Sequence, residues 1–389
     1  MKNVLIYVDN YERLSFFLKI SKYFEDKVVF ITNKQSVFMR IPKNYNKHLI
    51  TAKRLSVSDS ENDPKKLETF STIAGYHSPA AAETISIKLN MFLTALCEKI
   101  KFERVFIWNG STTFGTVFKD FFYKRNIKMV FFEISNLDGK IFVDKEGVNA
   151  KSFLYKHPEV LDDMKVDEQL YYEWLRNYKS DKSGQVKQAK NKSTIRLEMI
   201  IDYFGYWFRG AIREDYRNPF AILKSKLSNK IIISYESANL SKPYIFFPMQ
   251  VSNDSQLALN SDYDNKDVIK ELSKKYKDVD IYIKVHPAEA NKAFIEDIIA
   301  FATSKANIFI VGNNTKDLIV NAEKVVVINS TVGLESLILG KDVEIYGRAL
   351  YSEFNDHRLK AYIQSYLVNI DYFGDKEAEF QEVMRLIDV

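Results

Sequence analysis

Short runs of β-branched and aromatic residues alternate with helical patterns in the first 150 residues. Segments such as 14-LSFFLKISKYF-24 and 83-ETISIKLNMFLTALCEKI-100 place apolar residues at helical spacing. Strand and helix in series predict a parallel, doubly wound α/β sheet. Four runs have the length and composition of buried strands, namely 3-NVLIYV-8, 27-KVVFIT-32, 104-RVFIWN-109 and 128-KMVFFE-133.

The same alternation restarts near residue 229. Helical patterns such as 265-NKDVIKELSKKY-276 and 332-VGLESLILG-340 again lie between apolar runs. Two Rossmann-like halves are therefore expected, and in such sheets a ligand binds beyond the carboxyl ends of the strands. The strands expected here are 229-NKIIISY-235, 243-PYIFFPM-249, 279-VDIYIKV-285, 307-NIFIV-311, 323-EKVVVIN-329 and 343-VEIYG-347.

The expected domains follow from this pattern. We expect an N-terminal Rossmann-like domain at 1–228, a C-terminal Rossmann-like domain at 229–356, and a helical tail at 357–389 that packs back on the N-terminal domain. Residues from about 158 to 225 have a different character and predict a helical insert in the N-terminal domain.

The insert contains an aromatic cluster, 203-YFGYWFRG-210. Helices are expected around 165–178 and 194–215, on either side of the polar and basic loop 179-KSDKSGQVKQAKNKS-193. The first interpretation of the aromatic cluster is helix–helix packing. The alternative is a surface that touches lipid.

Bulk composition excludes several classes of protein. With 46% hydrophobic and 28% charged residues, the chain is expected to be globular. Its net charge of +5, with both signs interspersed, argues against nucleic-acid binding and leaves a weak attraction to anionic partners. The single cysteine, Cys97, rules out an internal disulfide and suits the cytoplasm. We expect neither a signal peptide nor a membrane span, since no apolar run approaches the ~20 residues required.

Polar residues follow one strand of the C-terminal half where the ligand-binding edge should lie. His286 and Pro287 end this strand, and Lys284 is expected on the same face as His286 because side chains alternate along a strand. An imidazole at this position can bond a phosphate oxygen or protonate a leaving group. A structural histidine is the alternative.

A second strand runs into 329-NSTVGLES-336 at the start of a helix. The hydroxyls of Ser330 and Thr331, with the free N–H groups of a helix N-terminus, predict an anion site. A plain N-cap with a packing contact at Gly333 is the alternative. Glu335 lies one turn into the helix and could accept hydrogen bonds from ribose hydroxyls. Asn329 and Gly333 are assigned to the same expected nucleotide site.

Carboxylates follow strands in both halves. Asp254, in 246-FFPMQVSNDSQL-257, is a candidate nucleophile, with a helix N-cap as the alternative. Glu133 ends the fourth strand of the first half and should face the ligand-binding edge, and Asp144 is its rival as the acid/base. The candidate substrate-binding residues are Gln250, Asn149 and Asn109.

No metal site is expected from the sequence. The Asp278-Val279-Asp280 run has the form of a DxD metal motif but lies at the start of a strand, away from the ligand-binding edge. The stretch 262-DYDNKD-267 lacks the central glycine and closing glutamate of a calcium loop. The five histidines are too scattered for a zinc pair on one helix, and there is no GxGxxG or P-loop motif.

These segments together resemble the bacterial capsule polysaccharide biosynthesis family, which includes retaining β-Kdo glycosyltransferases. The resemblance covers about residues 104–152 and 243–351. It implies the GT-B architecture, in which two Rossmann-like domains face a cleft, with the acceptor bound by 1–228 and the nucleotide sugar by 229–356. The most specific matching pieces are 329-NSTVGLESLILGKDVEIYGRALY-351, the Lys-Val-His-Pro run, 248-PMQVSNDSQ-256 and 133-EISNLDGKIFVDKEGVNAKS-152.

The resemblance also implies the reaction. CMP-Kdo would donate β-Kdo with net retention, through two inversions at a covalent carboxylate adduct. By this resemblance Asp254 is the nucleophile and Glu133 the base for the acceptor hydroxyl, with Asp144 as the rival base. A CMP sugar leaves with one phosphate, so His286, Lys284 and the Ser330-Thr331 helix start are expected to hold it without a metal or other cofactor.

Two alternatives remain open at this point. One is a sialyltransferase that uses CMP-sialic acid, and the other is a non-catalytic subunit of a capsule assembly complex. The expected partners are the CMP-sugar donor and a glycan or lipid-linked glycan acceptor, such as a capsule linker or an O-antigen terminus. The expected location is the cytoplasm, with a peripheral contact at the inner face of the inner membrane left open.

Overall fold

The computed structural model describes residues 3–52, 69–135, 137–180, 195–216, 233–252, 254–374 and 376–388. Contacts divide the chain into two compact units. The first unit comprises Met1–Phe153, Gln185–Pro219 and Leu367–Val389, and the second comprises Leu154–Gly184 and Phe220–Tyr366. Each unit is built on a sheet that is wholly or mainly parallel, so the α/β fold class expected from the alternating pattern is confirmed.

The sheet of the first unit has six strands. From one edge to the other they are ordered 3-2-1-4-5-6; strands 1 to 5 pair in parallel, and strand 6 runs antiparallel to strand 5. The inner strands are buried on both faces, which explains their continuous apolar runs. The bounds of the six strands are β1 (Asn3–Tyr7), β2 (Val28–Thr32), β3 (Asn46–Leu49), β4 (Phe102–Trp108), β5 (Lys128–Ile134) and β6 (Ile141–Asp144).

The sheet of the second unit has five strands, and all of its pairings are parallel. In chain order, the strands of this sheet are β7 (Tyr244–Pro248), β8 (Asp280–Lys284), β9 (Ile308–Ile310), β10 (Lys324–Val327) and β11 (Val343–Ile345). Their order across the sheet is β11-β10-β7-β8-β9. The carboxyl ends of β10, β7 and β8 are therefore neighbours on one edge.

Helices connect these strands in both units. Those before β7 are α1 (Tyr11–Ser21), α2 (Gln35–Arg40), α3 (Phe70–Ile73), α4 (Pro79–Lys99), α5 (Thr113–Tyr123), α6 (Phe153–Lys156), α7 (Glu168–Ser180) and α8 (Ile195–Arg209). Those after β7 are α9 (Ser255–Asn260), α10 (Asn265–Lys275), α11 (Lys292–Thr303), α12 (Thr315–Asn321), α13 (Thr331–Ile338), α14 (Asp356–Ala361) and α15 (Phe380–Asp388).

The core of the first unit is aromatic. Phe16 of α1 packs edge-on against Trp108 and Phe132 of the sheet. Tyr372, from the C-terminal segment, contacts both Phe16 and Trp108. Val368 pairs with Ile141 through backbone hydrogen bonds. Residues 367–389 are therefore part of the first unit's core, although they are the last residues of the chain.

Residues 154–184 group with the second unit, whereas the sequence pattern assigned them to the N-terminal half. Ion pairs between residues 196 and 192 positions apart in sequence are among the contacts that join this segment to the second unit. Arg358 Nε lies 2.6 Å from Asp162 Oδ1, and Lys360 Nζ lies 2.8 Å from Glu168 Oε2. Local sequence patterns carry no information about such distant partners.

The outer face of α8 is apolar. Asp202 of this helix accepts a hydrogen bond from the Ser36 N–H at 2.8 Å, so the polar side of α8 faces the protein. The interpretation of 203–210 as helix–helix packing is wrong for three of its rings, because they face outward. These are Phe204, Trp207 and Phe208, with exposed fractions of 57%, 80% and 70%.

Within the described residues, α4 is the one helix that is long and apolar enough to cross a membrane, judged by length and composition alone. No membrane-spanning segment was expected from the sequence. One face of α4 packs in the first unit, as a helix of a globular core does. The buried residues of this face are Ala82, Ile85, Leu89, Leu93 and Leu96.

Two expected elements fall wholly or partly outside the described residues. The basic loop at 179–193 lies outside them from residue 181 onward. The strand expected at 229–235 lies outside them up to residue 232. Residues 233–235 are not in a strand, and Glu236 forms an isolated parallel bridge with Val311.

Candidate functional site

The end of β8 carries a lysine and a histidine. Lys284 Nζ donates to the Asn313 carbonyl at 2.5 Å. His286 Nδ1 accepts the Ala288 N–H at 3.1 Å, which leaves the proton of the neutral ring on Nε2. Within the described part of the chain Nε2 makes no hydrogen bond, so the ring can donate one to a ligand.

Partial burial lowers the pKa of His286, and the nearby carboxylates of Asp254 and Glu289 oppose this shift. Burial also lowers the pKa of Lys284. A neutral His286 is therefore favoured in the free protein, and it acts as a hydrogen-bond donor until an anion beside it raises its pKa again.

Asp254 lies at the start of α9, close enough to His286 for the two charges to interact. One carboxylate oxygen, Oδ1, accepts the Gln256 N–H at 2.7 Å and caps the helix. The N-cap alternative is thus correct for this oxygen. The second oxygen, Oδ2, has no hydrogen-bond partner among the described residues and is available for chemistry.

Gln250 and Asn329 bond to each other between the ends of β7 and β10. Gln250 Nε2 donates to Asn329 Oδ1 at 2.9 Å, and the Asn329 N–H donates to Gln250 Oε1 at 3.1 Å. Asn329 Nδ2 also donates to the carbonyls of Gln256 and Asn260. These amides tie the strand ends together, and little of their hydrogen-bonding capacity is left for a ligand.

Ser330 caps α13, and its Oγ accepts the Val332 N–H at 3.1 Å. The hydroxyl of Tyr351 donates to the Ser330 carbonyl. A Cβ on Gly333 would lie 2.1 Å from that hydroxyl, so only glycine fits there. The packing alternative for Gly333 is therefore correct, while Thr331 is exposed at the helix start.

Glu335 lies one turn into α13. Burial raises its pKa to about 7, and the Lys316 ammonium opposes that shift. Near neutral pH this carboxyl is about half protonated, so it can both donate and accept a hydrogen bond.

Glu133 and Asn109 meet at the carboxyl ends of β5 and β4. Asn109 Nδ2 donates to Glu133 Oε2, the Ile134 N–H donates to Oε1 at 3.1 Å, and the Trp108 indole also bonds the carboxylate. Burial raises the pKa of Glu133, and the bond from Asn109 and the charge of Arg13 oppose this. A raised carboxyl pKa suits a general base that must also release its proton.

Asp144, the rival of Glu133, is buried and holds a loop. Its Oδ1 accepts backbone N–H groups from Glu146 at 2.7 Å, Gly147 at 3.2 Å and Phe153 at 2.9 Å. Asn149 lies in the same loop with a positive φ of 53°, and its carbonyl accepts the Ser152 hydroxyl. Both residues shape the 144–153 turn.

Two charged residues of the first unit were not identified from the sequence. Arg13 Nη1 donates to Asp9 Oδ2 at 2.5 Å, just beyond the end of β1, and Arg13 interacts electrostatically with Glu133. The signal that was present is the polar pair Asp9-Asn10 directly after the first apolar run. The same rule that selected His286 would have selected Asp9.

The sequence-predicted residues thus fall into two groups. In the second unit, Asp254 interacts with His286 and Gln250 bonds Asn329, on the edge formed by β10, β7 and β8. In the first unit Glu133 bonds Asn109, whereas Asn149 lies on a separate loop. Glu133 and Asp254 belong to different units.

A family model described as capsule polysaccharide biosynthesis protein matches residues 126–354, more than half of the chain. Protein FixF of Sinorhizobium fredii is 33% identical over 124 residues, which is 30% of this chain and 30% of that protein. The capsule polysaccharide export protein KpsS of Escherichia coli is 27% identical over 137 residues, which is 32% of this chain and 35% of that protein. The matched segments span about a third of the length of these relatives.

Solved structures with a similar course of the chain include two of KpsC from Thermosulfurimonas dismutans. The β-Kdo 2,7 transferase is 14% identical, with a TM-score of 0.47 and coverage of 100% of this chain and 99% of that one. The β-Kdo 2,4 transferase is 13% identical, with a TM-score of 0.46 and coverage of 98% and 97%.

Proposed function

Since the chain belongs to the capsule polysaccharide biosynthesis family, we propose that it is a retaining glycosyltransferase that moves β-Kdo from CMP-Kdo to a bacterial surface glycan. The observation that carries the proposal is that Asp254, with one carboxylate oxygen free, and His286, with Nε2 free, both follow strands at the carboxyl edge of the second sheet, where their charges interact. A carboxylate with a free oxygen beside an available imidazole N–H supplies both a nucleophile and a leaving-group partner.

The donor site is proposed on the edge formed by β10, β7 and β8, where ligands bind in sheets of this kind. The phosphate of CMP would take hydrogen bonds from His286 Nε2, from the Lys284 ammonium and from the start of α13 at Ser330 and Thr331. Pro287 fixes the backbone after His286. Glu335 would receive the ribose hydroxyls.

The first half of the reaction uses Asp254. Its free Oδ2 attacks the anomeric carbon of Kdo, and the bond from that carbon to the CMP phosphate oxygen breaks. The electron pair of that bond leaves on CMP, whose added negative charge Lys284 and His286 stabilise. The product of this step is a Kdo ester of Asp254 with inverted configuration.

The second half uses Glu133. An acceptor hydroxyl attacks the anomeric carbon and passes its proton to Glu133, and the Asp254 carboxylate leaves. Two inversions give net retention of the β configuration. Glu133 is favoured over Asp144 as the base because Asp144 Oδ1 is already shared by three backbone N–H groups.

The test is CMP release by the purified chain with CMP-Kdo and a panel of surface glycans, with CMP-sialic acid as the alternative donor. His286→Asn keeps an acceptor for the Ala288 N–H but removes the Nε2 donor, so turnover is expected to fall about 10- to 100-fold, as for a lost bond to a charged group. His357→Asn, on the exposed start of α14, is the matched control. CMP release from CMP-sialic acid but not from CMP-Kdo would mean that CMP-sialic acid is the donor. No release from either CMP sugar would contradict the proposal.

We further propose that α8 holds the protein on an anionic phospholipid surface. Its outward residues form an apolar stripe, while Glu198 and Asp202 face the protein, where they bind Arg40 and the Ser36 N–H. The sequence on both sides of the helix is basic: 182–193 has four lysines and 217–230 has three lysines and one arginine, with no acidic residue in either. An apolar face between basic stretches is typical of a helix that lies in a membrane interface. The outward stripe consists of Leu197, Ile200, Phe204, Trp207 and Phe208.

A further inference from the structure

The sheet of the first unit reverses its strand order between β1 and β4. From β1 the chain proceeds to β2 and β3 on one side, and from β4 it proceeds to β5 and β6 on the other. The loops after β1 and β4 therefore leave in opposite directions. Such a reversal opens a crevice at the carboxyl ends of the two strands, and open α/β sheets bind their ligands there.

Charged side chains occupy this position. Arg13, in the first turn of α1, donates from Nη1 to Asp9 Oδ2 at 2.5 Å, and its guanidinium lies 5.2 Å from the centroid of the Trp108 ring. Among the described residues Arg13 makes no other side-chain hydrogen bond, so Nε and Nη2 can donate to a ligand. The side chains of Arg13 and Asp9 are 25% and 26% exposed.

The second oxygen of Asp9 points to a missing partner. Oδ1 is buried and has no hydrogen-bond partner within the described chain. Leaving a carboxylate oxygen buried and unpaired is unfavourable. A hydroxyl that donates to this oxygen would remove the cost.

The loop after β4 is held in a fixed shape beside this pair. Asn109 has a positive φ of 58°, which is uncommon for a residue other than glycine. Its Oδ1 accepts the Ser111 N–H at 3.2 Å while its Nδ2 bonds Glu133. A Cβ on Gly110 would lie 2.6 Å from the Phe131 ring, so the loop is packed tightly against β5. Backbone strain of this kind is often found at ligand sites.

The charge balance selects the kind of ligand. Arg13 and Lys34 both interact electrostatically with carboxylates here and carry two positive charges against the three carboxyl groups of Asp9, Glu133 and Glu214, so a phosphate or a sugar acid would find no net positive charge. Neutral hydroxyl groups fit, because each can donate to a carboxylate oxygen and accept from the guanidinium. Several hydroxyls on one rigid ring would satisfy Asp9 Oδ1 and the free Arg13 donors together.

We propose that Asp9 and Arg13 form the binding site for a neutral sugar unit of the acceptor, beside Glu133. Specificity for a neutral acceptor unit follows from the excess of carboxyl groups over cations around Asp9. The proposal depends on the glycosyl transfer proposed above only where it identifies the bound sugar as part of the acceptor. The site's preference for neutral sugars can be tested without any donor.

The experiment is saturation-transfer NMR on the purified full chain with methyl β-D-glucopyranoside and its anionic counterpart, methyl β-D-glucuronide. The wild type is expected to give a signal with the glucoside and only the background of a protein-free sample with the glucuronide. Asp9→Asn and Arg13→Gln should each reduce the glucoside signal to that background. The matched control is Asp120→Asn, which removes the carboxylate of an exposed i, i+4 pair with Lys124 in the same unit and should bind as the wild type does.

Equal signals from the two glycosides, or a full glucoside signal in both site variants, would overturn the proposal. A second measurement separates it from the proposed reaction. If CMP-Kdo is a donor, Asp9→Asn should raise the KM for a neutral acceptor at least about tenfold, whereas the control Asp120→Asn should leave that KM unchanged. Glucoside binding that depends on Asp9 in a protein that does not use CMP-Kdo would remove the donor assignment and keep this site.

Discussion

The carboxylate of Asp254 has an observed role and a proposed one, and one substitution can separate them. Oδ1 caps α9, and the unbonded Oδ2 is the proposed nucleophile. Asparagine caps a helix as well as aspartate does, so Asp254→Asn removes the nucleophile and keeps the cap. We expect turnover to fall on the order of 10³-fold or more while CMP binding and the melting temperature stay unchanged.

The measurements are CMP release and intact-protein mass spectrometry with CMP-Kdo and no acceptor. The wild type or Glu133→Gln should gain the mass of one Kdo on the peptide that contains Asp254. Asp264→Asn is the matched control, because Asp264 caps α10 in the same unit and is exposed. Full activity in Asp254→Asn, or an adduct on Glu133 or Asp144, would show that the wrong carboxylate is assigned.

The raised pKa of Glu335 predicts that the stability of the protein depends on pH. Burial raises the pKa of Glu335 to about 7 from the 4.5 of a glutamate in water, so between these values the folded protein binds more protons than the unfolded chain. The free energy of unfolding then falls as pH rises through this window, by on the order of 3 kcal/mol, and the loss is complete above pH 7. Glu335→Gln stays neutral and should not show this contribution.

Urea denaturation of the wild type and Glu335→Gln at pH 5 and pH 8 tests this directly. The variant should be more stable than the wild type, and by a larger margin at pH 8 than at pH 5. Glu323→Gln, at the exposed residue directly before β10, serves as the control. A difference that is the same at both pH values would contradict the burial argument.

At the scale of elements, the sequence predicted the strands with continuous apolar runs and missed two short ones. β3 is the polar run Asn46-Lys47-His48-Leu49 on the sheet edge, exposed at its start, so no apolar pattern marks it. β6 follows β5 without an intervening helix and pairs antiparallel with it, outside the strand–helix alternation used to find the others.

The sequence predicted those residues of the candidate site that lie just beyond strand ends, because it predicted the strand ends themselves. Gln250, His286 and Asn329 each lie two residues beyond the end of their strand, and the rule that ligands bind there selected all three. The mutual hydrogen bonds of Gln250 and Asn329 were not predictable, because they depend on which strands are neighbours. The burial of Asp144 beneath its loop depends on tertiary packing in the same way.

The apolar stripe of α8 predicts binding to lipid vesicles. Each aromatic side chain that leaves water contributes about 1.5–3 kcal/mol when fully buried, so removing two should weaken binding more than about tenfold. Trp207→Ser with Phe208→Ser is therefore expected to abolish co-flotation with phosphatidylglycerol vesicles. The paired control is Leu170→Ser with Tyr172→Ser on α7, which exposes apolar residues of similar size.

Vesicles of pure phosphatidylcholine form the second arm of this test and should bind weakly, since the basic sequence around α8 requires anionic lipid. Size-exclusion chromatography forms the third. If the stripe instead causes concentration-dependent dimerisation that the Trp207→Ser, Phe208→Ser variant abolishes, a second copy of the chain and not a membrane covers α8.

For the whole molecule, the two units are assigned different substrates. CMP should bind the second unit alone, because the candidate phosphate donors Lys284, His286 and Ser330 all belong to it. Hydrogen exchange with saturating CMP is expected to slow at 284–289 and 329–335 and to leave the first unit unchanged. Protection confined to the strand ends of the first unit, at 9–13 or 109–113, would move the nucleotide site there.

The last prediction concerns metal and follows from the charge of the donor. A sugar diphosphate leaves with two linked phosphates, and enzymes commonly place a divalent cation between them. A CMP sugar leaves with one phosphate. The Lys284 ammonium, the His286 N–H and the N-terminus of α13 can supply the positive field that this single group needs.

Transfer from CMP-Kdo should therefore stay within about twofold of its initial rate after dialysis against EDTA, and added Mg²⁺ or Mn²⁺ should not raise it. Lys284→Gln provides the complementary measurement. It removes one charge from the phosphate site, so its rate should fall, and Mg²⁺ should not restore it. Complete loss of wild-type activity with EDTA, and recovery with either cation, would mean that a metal and not the protein stabilises the departing phosphate.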